Sequence, residues 1–314
     1  MIDYSICYKR QLAPTDPYFA TRQFDTLIAA FTSDKRSRAL FDKINATRKQ
    51  WVVFPEYGFQ QSECPAGAFI GPDGADEAHL ITSLLDTVVS QSDRICVDIT
   101  GFLAPYLLFL IRSIAARGIT TVEMLYAEPG RYLKSEETTF SGEEVRSVRQ
   151  VYGFEGTHGA DTTKDLLVVG AGYDHQLMKM VATTKEGARP IQIFGLPALQ
   201  PDMYQQNILR AARAAEALGG RGVGEHADNH LVPAHDPFAT ATFLSKLIED
   251  TPFTNLYLCP LATKPQVAGF GIFYVTECLA KPVSILYPFC GSFPKQTSDG
   301  IGRFWAYTIE LDLK

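Results

Sequence analysis

The residues of this chain best suited to chemistry lie in short turns that follow apolar runs. Asp98-Ile99-Thr100-Gly101 closes the run RICVDI and opens an apolar stretch. A carboxylate and a hydroxyl two residues apart beside a helix start suit a phosphate or hydroxyl ligand, because the free amides of a first helical turn favour anions. The same two side chains also suit plain helix capping. Gly170-Ala171-Gly172-Tyr173-Asp174-His175 follows LLVVG. Its glycines allow a backbone to approach a ligand closely. The GxG spacing is present, but His175 stands where a dinucleotide fingerprint has its third glycine. Tyr173 is placed to stack on a base and His175 to hydrogen-bond a ligand or transfer a proton.

Leu261-Ala262-Thr263-Lys264-Pro265-Gln266 follows NLYLCP. A lysine at a helix start is disfavoured by the helix dipole, by roughly 0.3–1 kcal/mol. That cost is offset if an anion binds and both the ammonium and the amides act on it. Thr263 adds a hydroxyl, and Pro265 fixes the helix start. No GxxxxGK[ST] loop is present. Three further turns combine acids with aromatics: Pro55-Glu56-Tyr57, Glu128 to Tyr132, and Tyr152 to Glu155. Tyrosines there suit base stacking, and Glu56 is the best placed of these carboxylates for acid–base work.

His226, His230 and His235 lie close together with Asp228 and Asp236 between them. Their spacing matches no metal motif, the segment reads as a loop, and no metal is expected. His79 and His158 carry no motif either. No cofactor is implied.

These turns need a scaffold. Strand-like runs fall at 2–8, 50–54, 94–99, 121–127, 165–170, 190–195, 255–260 and 283–288. Helical patterns fall at about 18–31, 76–91, 102–117, 173–186, 202–218, 236–250 and 265–280. Most of the runs are continuously apolar, as expected for strands covered on both faces. Alternating strand and helix predicts an α/β fold with mainly parallel sheets flanked by helices. Two stretches share an outline, RICVDITGFLAPYLLFLIRSIAARGITTVEMLYAEP and NLYLCPLATKPQVAGFGIFYVTECLAKPVSILYP. The chain therefore reads as two Rossmann-like halves, 1–160 and 161–314. The Gly-, Thr- and charge-rich stretch 130–164 reads as a linker, hairpin or mobile loop.

The 314 residues carry 29 basic and 35 acidic side chains, a net charge of -6. That balance excludes a broad nucleic-acid-binding surface while allowing one local anion pocket. Hydrophobic residues make up 46%, which excludes global disorder. Six cysteines show no CxxC spacing, and a chain this long builds a core without a disulfide framework. Cys7, Cys96 and Cys259 lie in apolar runs. The N-terminus has no basic-then-apolar leader pattern, and the longest apolar stretch falls short of the ~20 residues that span a bilayer. A cytoplasmic protein with no membrane association is expected.

The stretch LATKPQVAGFGIFYVTE, with Thr263-Lys264 at its turn, resembles CARF (CRISPR-associated Rossmann fold) domains. VDITGFLAPYLLFLI resembles the first-strand turn of such a domain, and Leu261 and Ala262 replace the family's usual glycines. The resemblance covers roughly 94–130 and 165–290. It implies a sensor of cyclic or linear oligonucleotide second messengers in prokaryotic anti-phage defence, a homodimer, and a separate effector protein. It also implies a pocket lined by Thr100, Thr263 and Lys264.

Residues and resemblance together give a nucleotide- or oligonucleotide-binding sensor. Its ligand set is Asp98, Thr100, Gly101, Gly170, Gly172, Tyr173, His175, Thr263, Lys264 and Gln266. One alternative is a nucleotide-processing enzyme of hydrolase or glycosyl-transfer type, using Glu56, Asp98 or His175. Another is a scaffold subunit of a multi-protein complex.

Overall fold

The computed structural model describes residues 2–72, 74–133, 145–172, 174–200, 204–206, 208–209 and 228–313. Its strands are β1 (Lys9–Leu12), β2 (Gln23–Ala30), β3 (Asn45–Val53), β4 (Phe69–Ile70), β5 (Ile95–Asp98), β6 (Thr121–Tyr132), β7 (Val145–Gln150), β8 (Leu166–Gly170), β9 (Arg189–Gly195), β10 (Asp228–Val232), β11 (Leu256–Pro260), β12 (Val283–Cys290) and β13 (Ser298–Glu310). Its helices are α1 (Tyr18–Thr21), α2 (Lys35–Lys43), α3 (Glu77–Val88), α4 (Ala104–Ala116), α5 (His175–Thr184), α6 (Pro237–Asp250) and α7 (Lys264–Phe273). The fold is α/β, with two mostly parallel sheets flanked by helices.

The chain divides into two compact units: Cys7–Thr138 with Ser292–Leu313, and Met1–Ile6 with Thr139–Gly291. A single cut at 160 does not describe this division. The last strand, β13, returns to the first unit and pairs with β6 and β1 there.

The first unit's sheet has the order β1-β13-β6-β5-β2-β3-β4. Strands β6, β5, β2, β3 and β4 run parallel, and β13 and β1 are antiparallel additions. One face packs on α2 through Leu27, Leu40, Ile44, Cys96, Leu125 and Phe304, all fully or nearly fully buried. On α4, Leu107, Leu108, Leu110, Ile111 and Ile114 are buried. Each such side chain contributes roughly 1.5–3 kcal/mol on burial.

The second unit's sheet has the order β10-β9-β8-β11-β12-β7, parallel except for the edge strand β7. Leu167, Val169, Met178, Val181, Phe194 and Cys259 form the core under α5. Read from the outer strand inward, both parallel sets follow one winding. The first strand of the unit lies in the middle, the second and third lie to one side, and the fourth and fifth lie to the other. The two similar sequence stretches occupy the same place in it, as β5-α4-β6 and β11-α7-β12. Their helices share a proline at the second position, Pro105 and Pro265.

Three expectations need correction. Residues 18–31 hold a one-turn helix and then β2, not a long helix. Thr26 and Ile28 are β-branched, and five consecutive buried positions end the strand. A central strand shows no alternation, and Ala29-Ala30 imitates a helix. Residues 2–8 hold a 3-10 turn at Tyr4–Ile6, and the strand begins at Lys9. Stretch 130–164 holds the end of β6 and all of β7. The segment expected as a helix at 202–218 lies largely outside the described residues, as does His226. No helix among the described residues is long and apolar enough to cross a membrane.

Candidate functional site

In an open α/β sheet, ligands bind beyond the carboxyl ends of the strands, where the winding direction reverses. In the first unit that point lies between β2 and β5. In the second it lies between β8 and β11. The sequence-selected residues sit at both points. Asp98, Thr100 and Gly101 belong to the first unit, whereas Gly170, Gly172, Thr263, Lys264 and Gln266 belong to the second.

The first crest is a buried polar network. Asp98 is fully buried at the end of β5. Its Oδ1 accepts the Thr100 amide at 2.9 Å, and its Oδ2 has no hydrogen-bond partner among the described residues. Burial pushes this carboxyl up to about 7, against the Thr100 hydrogen bonds and the charge of Arg36. The Thr100 hydroxyl accepts the Ala127 amide at 3.0 Å, and the Ala127 carbonyl accepts Arg36 Nη1 at 3.0 Å. Arg36 also grips Asp34 with two prongs, Nε to Oδ1 at 3.1 Å and Nη2 to Oδ2 at 2.9 Å. Ser298 Oγ donates to Asp34 Oδ2 at 2.5 Å. Burial works against the charge of Asp34, yet these bonds hold its carboxyl below the ordinary value. Gly101 has no room for a side chain. A Cβ there would stand 2.9 Å from both the Ala30 carbonyl and Thr32 Cγ2.

Glu56 lies in a 3-10 turn after β3 and accepts the Tyr106 hydroxyl at 2.8 Å. Tyr57 donates to the Gly101 carbonyl at 2.9 Å. Phe54 stacks on Tyr106 with ring centroids 4.2 Å apart. The Pro55-Glu56-Tyr57 turn thus joins the first crest. Of the other two acid–aromatic stretches, only Tyr152 to Glu155 is a turn, and it follows β7. Glu128 to Tyr132 is the end of β6, and Glu128 is held by Trp305 Nε1 at 2.7 Å. Phe154 is fully buried, and Glu155 accepts the Gly153 amide at 2.9 Å.

The second crest is built around helix caps. Thr263 is the N-cap of α7, accepting the Gln266 amide at 3.4 Å, and its hydroxyl donates to the Ala234 carbonyl. Gln266 is buried and donates to the Val232 carbonyl at 3.4 Å. Lys264 is the first helical residue, half-buried, with no acid in the first turn. The helix starts one residue earlier than Pro265. The glycines here serve the chain itself. A Cβ on Gly172 would stand 1.8 Å from the Leu261 carbonyl oxygen, and one on Gly170 would stand 3.1 Å from Ala262 Cβ. They let the turns after β8 and β11 close on each other. Asp174 caps α5, accepting the Gln176 amide at 3.1 Å. His175 opens that helix, and Tyr173 lies outside the described residues.

Among the described residues no three His, Cys, Asp or Glu side chains cluster as metal ligands. His230 lies on β10, with its ring 4.7 Å from that of Phe243. Reading the sequence misses Asp34 and Arg36, because α2 is short and charged. The signal available was Asp34 itself, an N-cap residue type just before KRSRALFDK. In comparisons with known proteins, no family model, curated protein or solved structure matches the chain.

Proposed function

We propose that this chain binds a nucleotide or oligonucleotide and acts as a sensor or regulatory protein. One observation carries the reading. Both parallel sets are wound alike, and in each the turns after its first and fourth strands lie side by side at the carboxyl edge, where open α/β sheets generally bind ligands. Hydroxyl, amide and cationic groups occupy those turns: Thr100 in the first unit, and Thr263, Lys264 and Gln266 in the second. The resemblance to CARF domains adds an oligonucleotide messenger, a homodimer and a separate effector protein to this proposal.

Thermal shift of the full chain against nucleoside phosphates, dinucleotides and cyclic oligonucleotides tests it. A ligand at 100 times its Kd stabilises by about 2.7 kcal/mol, which a melting curve resolves. Lys264→Ala should abolish the shift of the best ligand. A panel without any hit, or an undiminished shift in the variant, rejects the reading.

A second reading, an enzyme that processes nucleotides, is favoured by Asp98. A buried carboxyl that titrates near neutrality suits proton transfer. Turnover of a nucleotide, lost in Asp98→Asn and in Glu56→Gln, would establish it. Intact nucleotides after long incubation with the wild-type protein would rule it out.

A further inference from the structure

The first unit carries a concave depression that neither the strand-end turns nor the resemblance selects. It has a volume of ≈ 510 Å³ and is lined by Phe31, Ser33, Lys35 and Arg38, with Thr32, Asp34, Ala39 and Asp42 completing it. That volume falls within the range of small-molecule sites, roughly 300–1,000 Å³. It lies directly beyond the carboxyl end of β2, on the β2 side of the first unit's reversal point.

Its charge is unusual for this protein. The chain is acidic overall, yet residues 35–49 hold Lys35, Arg36, Arg38, Lys43, Arg48 and Lys49 against the single acid Asp42. Four of the six cations are committed. Arg36 is paired with Asp34. Lys43, Arg48 and Lys49 donate to the carbonyls of Pro14, Val88 and Phe41 at 3.0, 2.7 and 2.7 Å. Lys35 and Arg38 are exposed and have no hydrogen-bond or ion-pair partner among the described residues, and both line the depression. The acids do not cancel them. Asp34 is spent on Arg36, and only Asp42 remains.

The inference does not use the helix terminus. The Arg36 amide is taken by Asp34 at 3.0 Å, and the Ser33 amide by the Lys295 carbonyl at 3.0 Å. The ligand is therefore held by side chains. One wall is aromatic: the Phe31 ring meets Trp51 at 5.7 Å and Phe59 at 4.8 Å between centroids. A guanidinium and an ammonium facing one cavity favour phosphate oxygens, which accept charge-assisted hydrogen bonds from both.

We infer that this depression is a phosphate-binding site for a phosphomonoester, with Lys35 and Arg38 as the binding residues. The site goes beyond the reading built on the Lys264 turn and lies in the other unit. Inorganic phosphate and adenosine 5′-monophosphate are titrated into the full chain and followed by calorimetry and ³¹P line width.

Wild-type protein should bind at least one of the two probes. The Lys35→Ala/Arg38→Ala double variant changes only exposed side chains and should fold normally by circular dichroism. It should bind about tenfold more weakly or worse, as loss of charged hydrogen bonds implies. Asp42→Asn should bind more tightly than wild type, and raised salt should weaken binding. Equal affinity for both probes would identify free phosphate as sufficient. Much tighter binding of the nucleotide would assign its base or ribose to the Phe31 wall. Absence of binding of either probe at about 1 mM, a weak affinity by any standard, overturns the inference. So does a double variant that binds like wild type. Lys264→Ala separates the two sites: binding kept there but lost in the double variant supports this site whatever becomes of the other. Binding lost in Lys264→Ala and kept in the double variant refutes this site alone.

Discussion

The two units share one winding and differ in how they close it. In the first, the glycine sits on the turn after the fourth strand of the parallel set: Gly101 meets Ala30 at the end of the first strand and Thr32 in the turn after it. In the second, the glycines sit on the turn after the first strand: Gly170 and Gly172 meet Leu261 and Ala262 of the turn after the fourth. The contact is the same with the partners exchanged. Charge is exchanged too. The first unit buries Asp98, Asp34 and Arg36 at its carboxyl edge. The second carries Asp174, Asp236 and Lys264 singly at helix starts on that edge, and at the opposite end it buries Asp165, which accepts the Asn255 amide nitrogen at 2.8 Å. A shared fold thus fixes where a site lies, while the residues on the turns decide whether it is charged.

The largest test of the contrast is Arg36→Met. It leaves Asp34 buried without its cation, and breaking a buried pair costs about 3–5 kcal/mol. Denaturant titration should show that loss, and Lys264→Met, at a half-buried position of the second crest, should cost far less. Gly172→Ala comes next. Its Cβ would overlap the Leu261 carbonyl, and backbone cannot swing aside as a side chain can. Overpacking of this kind costs about 1–3 kcal/mol. Gly101→Ala should cost less, since its nearest atoms stand 2.9 Å away rather than 1.8 Å.

Asp98 gives a pH-dependent test. Its carboxyl titrates at about 7 in the folded chain, against 3.8 as the ordinary value. Between those values the folded state holds a proton that the unfolded state has released. Stability from this group is therefore full below the ordinary value and is lost as pH rises through 7. At about 1.36 kcal/mol per unit, the loss between pH 5 and pH 8 is roughly 2–3 kcal/mol. Asp98→Asn removes the titration and should flatten the profile over that range. A profile for Asp98→Asn parallel to wild type would show that Asp98 is ionised or solvated in the folded protein.

Much of this organisation is legible in the sequence, for a physical reason. Strands β5, β8, β9, β11 and β12 are mostly apolar and largely buried, as strands covered on both faces are, so they stand out as runs. The ends of those runs locate Asp98, Thr100, Gly170, Gly172, Thr263 and Gln266. A division into two halves already implies two crests. Other elements are harder to see. β2 carries the same burial with alanines at its end and reads as helix. β7 and β10 are edge strands rich in polar residues, with Arg146, Ser147 and Asn229 exposed, so they read as loops. β13 pairs with β6 across more than 160 residues, which no local pattern encodes. The Asp34–Arg36 pair hides in a short charged helix because burial of a charge depends on a partner brought from elsewhere, here the Ala127 carbonyl and Ser298.

The smallest expected effect has the opposite sign and lies at the other end of the second unit. His158 stacks on Tyr257 at 4.8 Å, and its Nδ1 lies 3.1 Å from Asn255 Oδ1. The Asn255 amide nitrogen donates to the Asp161 carbonyl and to Asp165, so its oxygen faces the imidazole and Nδ1 carries the proton. Nε2 is buried with no hydrogen-bond partner among the described residues. Protonating it would place a second N–H where nothing accepts it. Burial, with the nearby Lys185 charge adding to it, holds the imidazole below its ordinary value of 6.5. The folded state therefore binds this proton less readily than the unfolded one. The contribution to stability is full above 6.5 and falls away as pH drops below it. The residue as a whole is only half-buried, so screening keeps the effect small. His158→Gln should lower the melting temperature slightly at pH 8 and remove part of the decline between pH 6.5 and pH 5. If the variant and wild type decline alike over that range, His158 is not the group that senses acid at this end of the sheet.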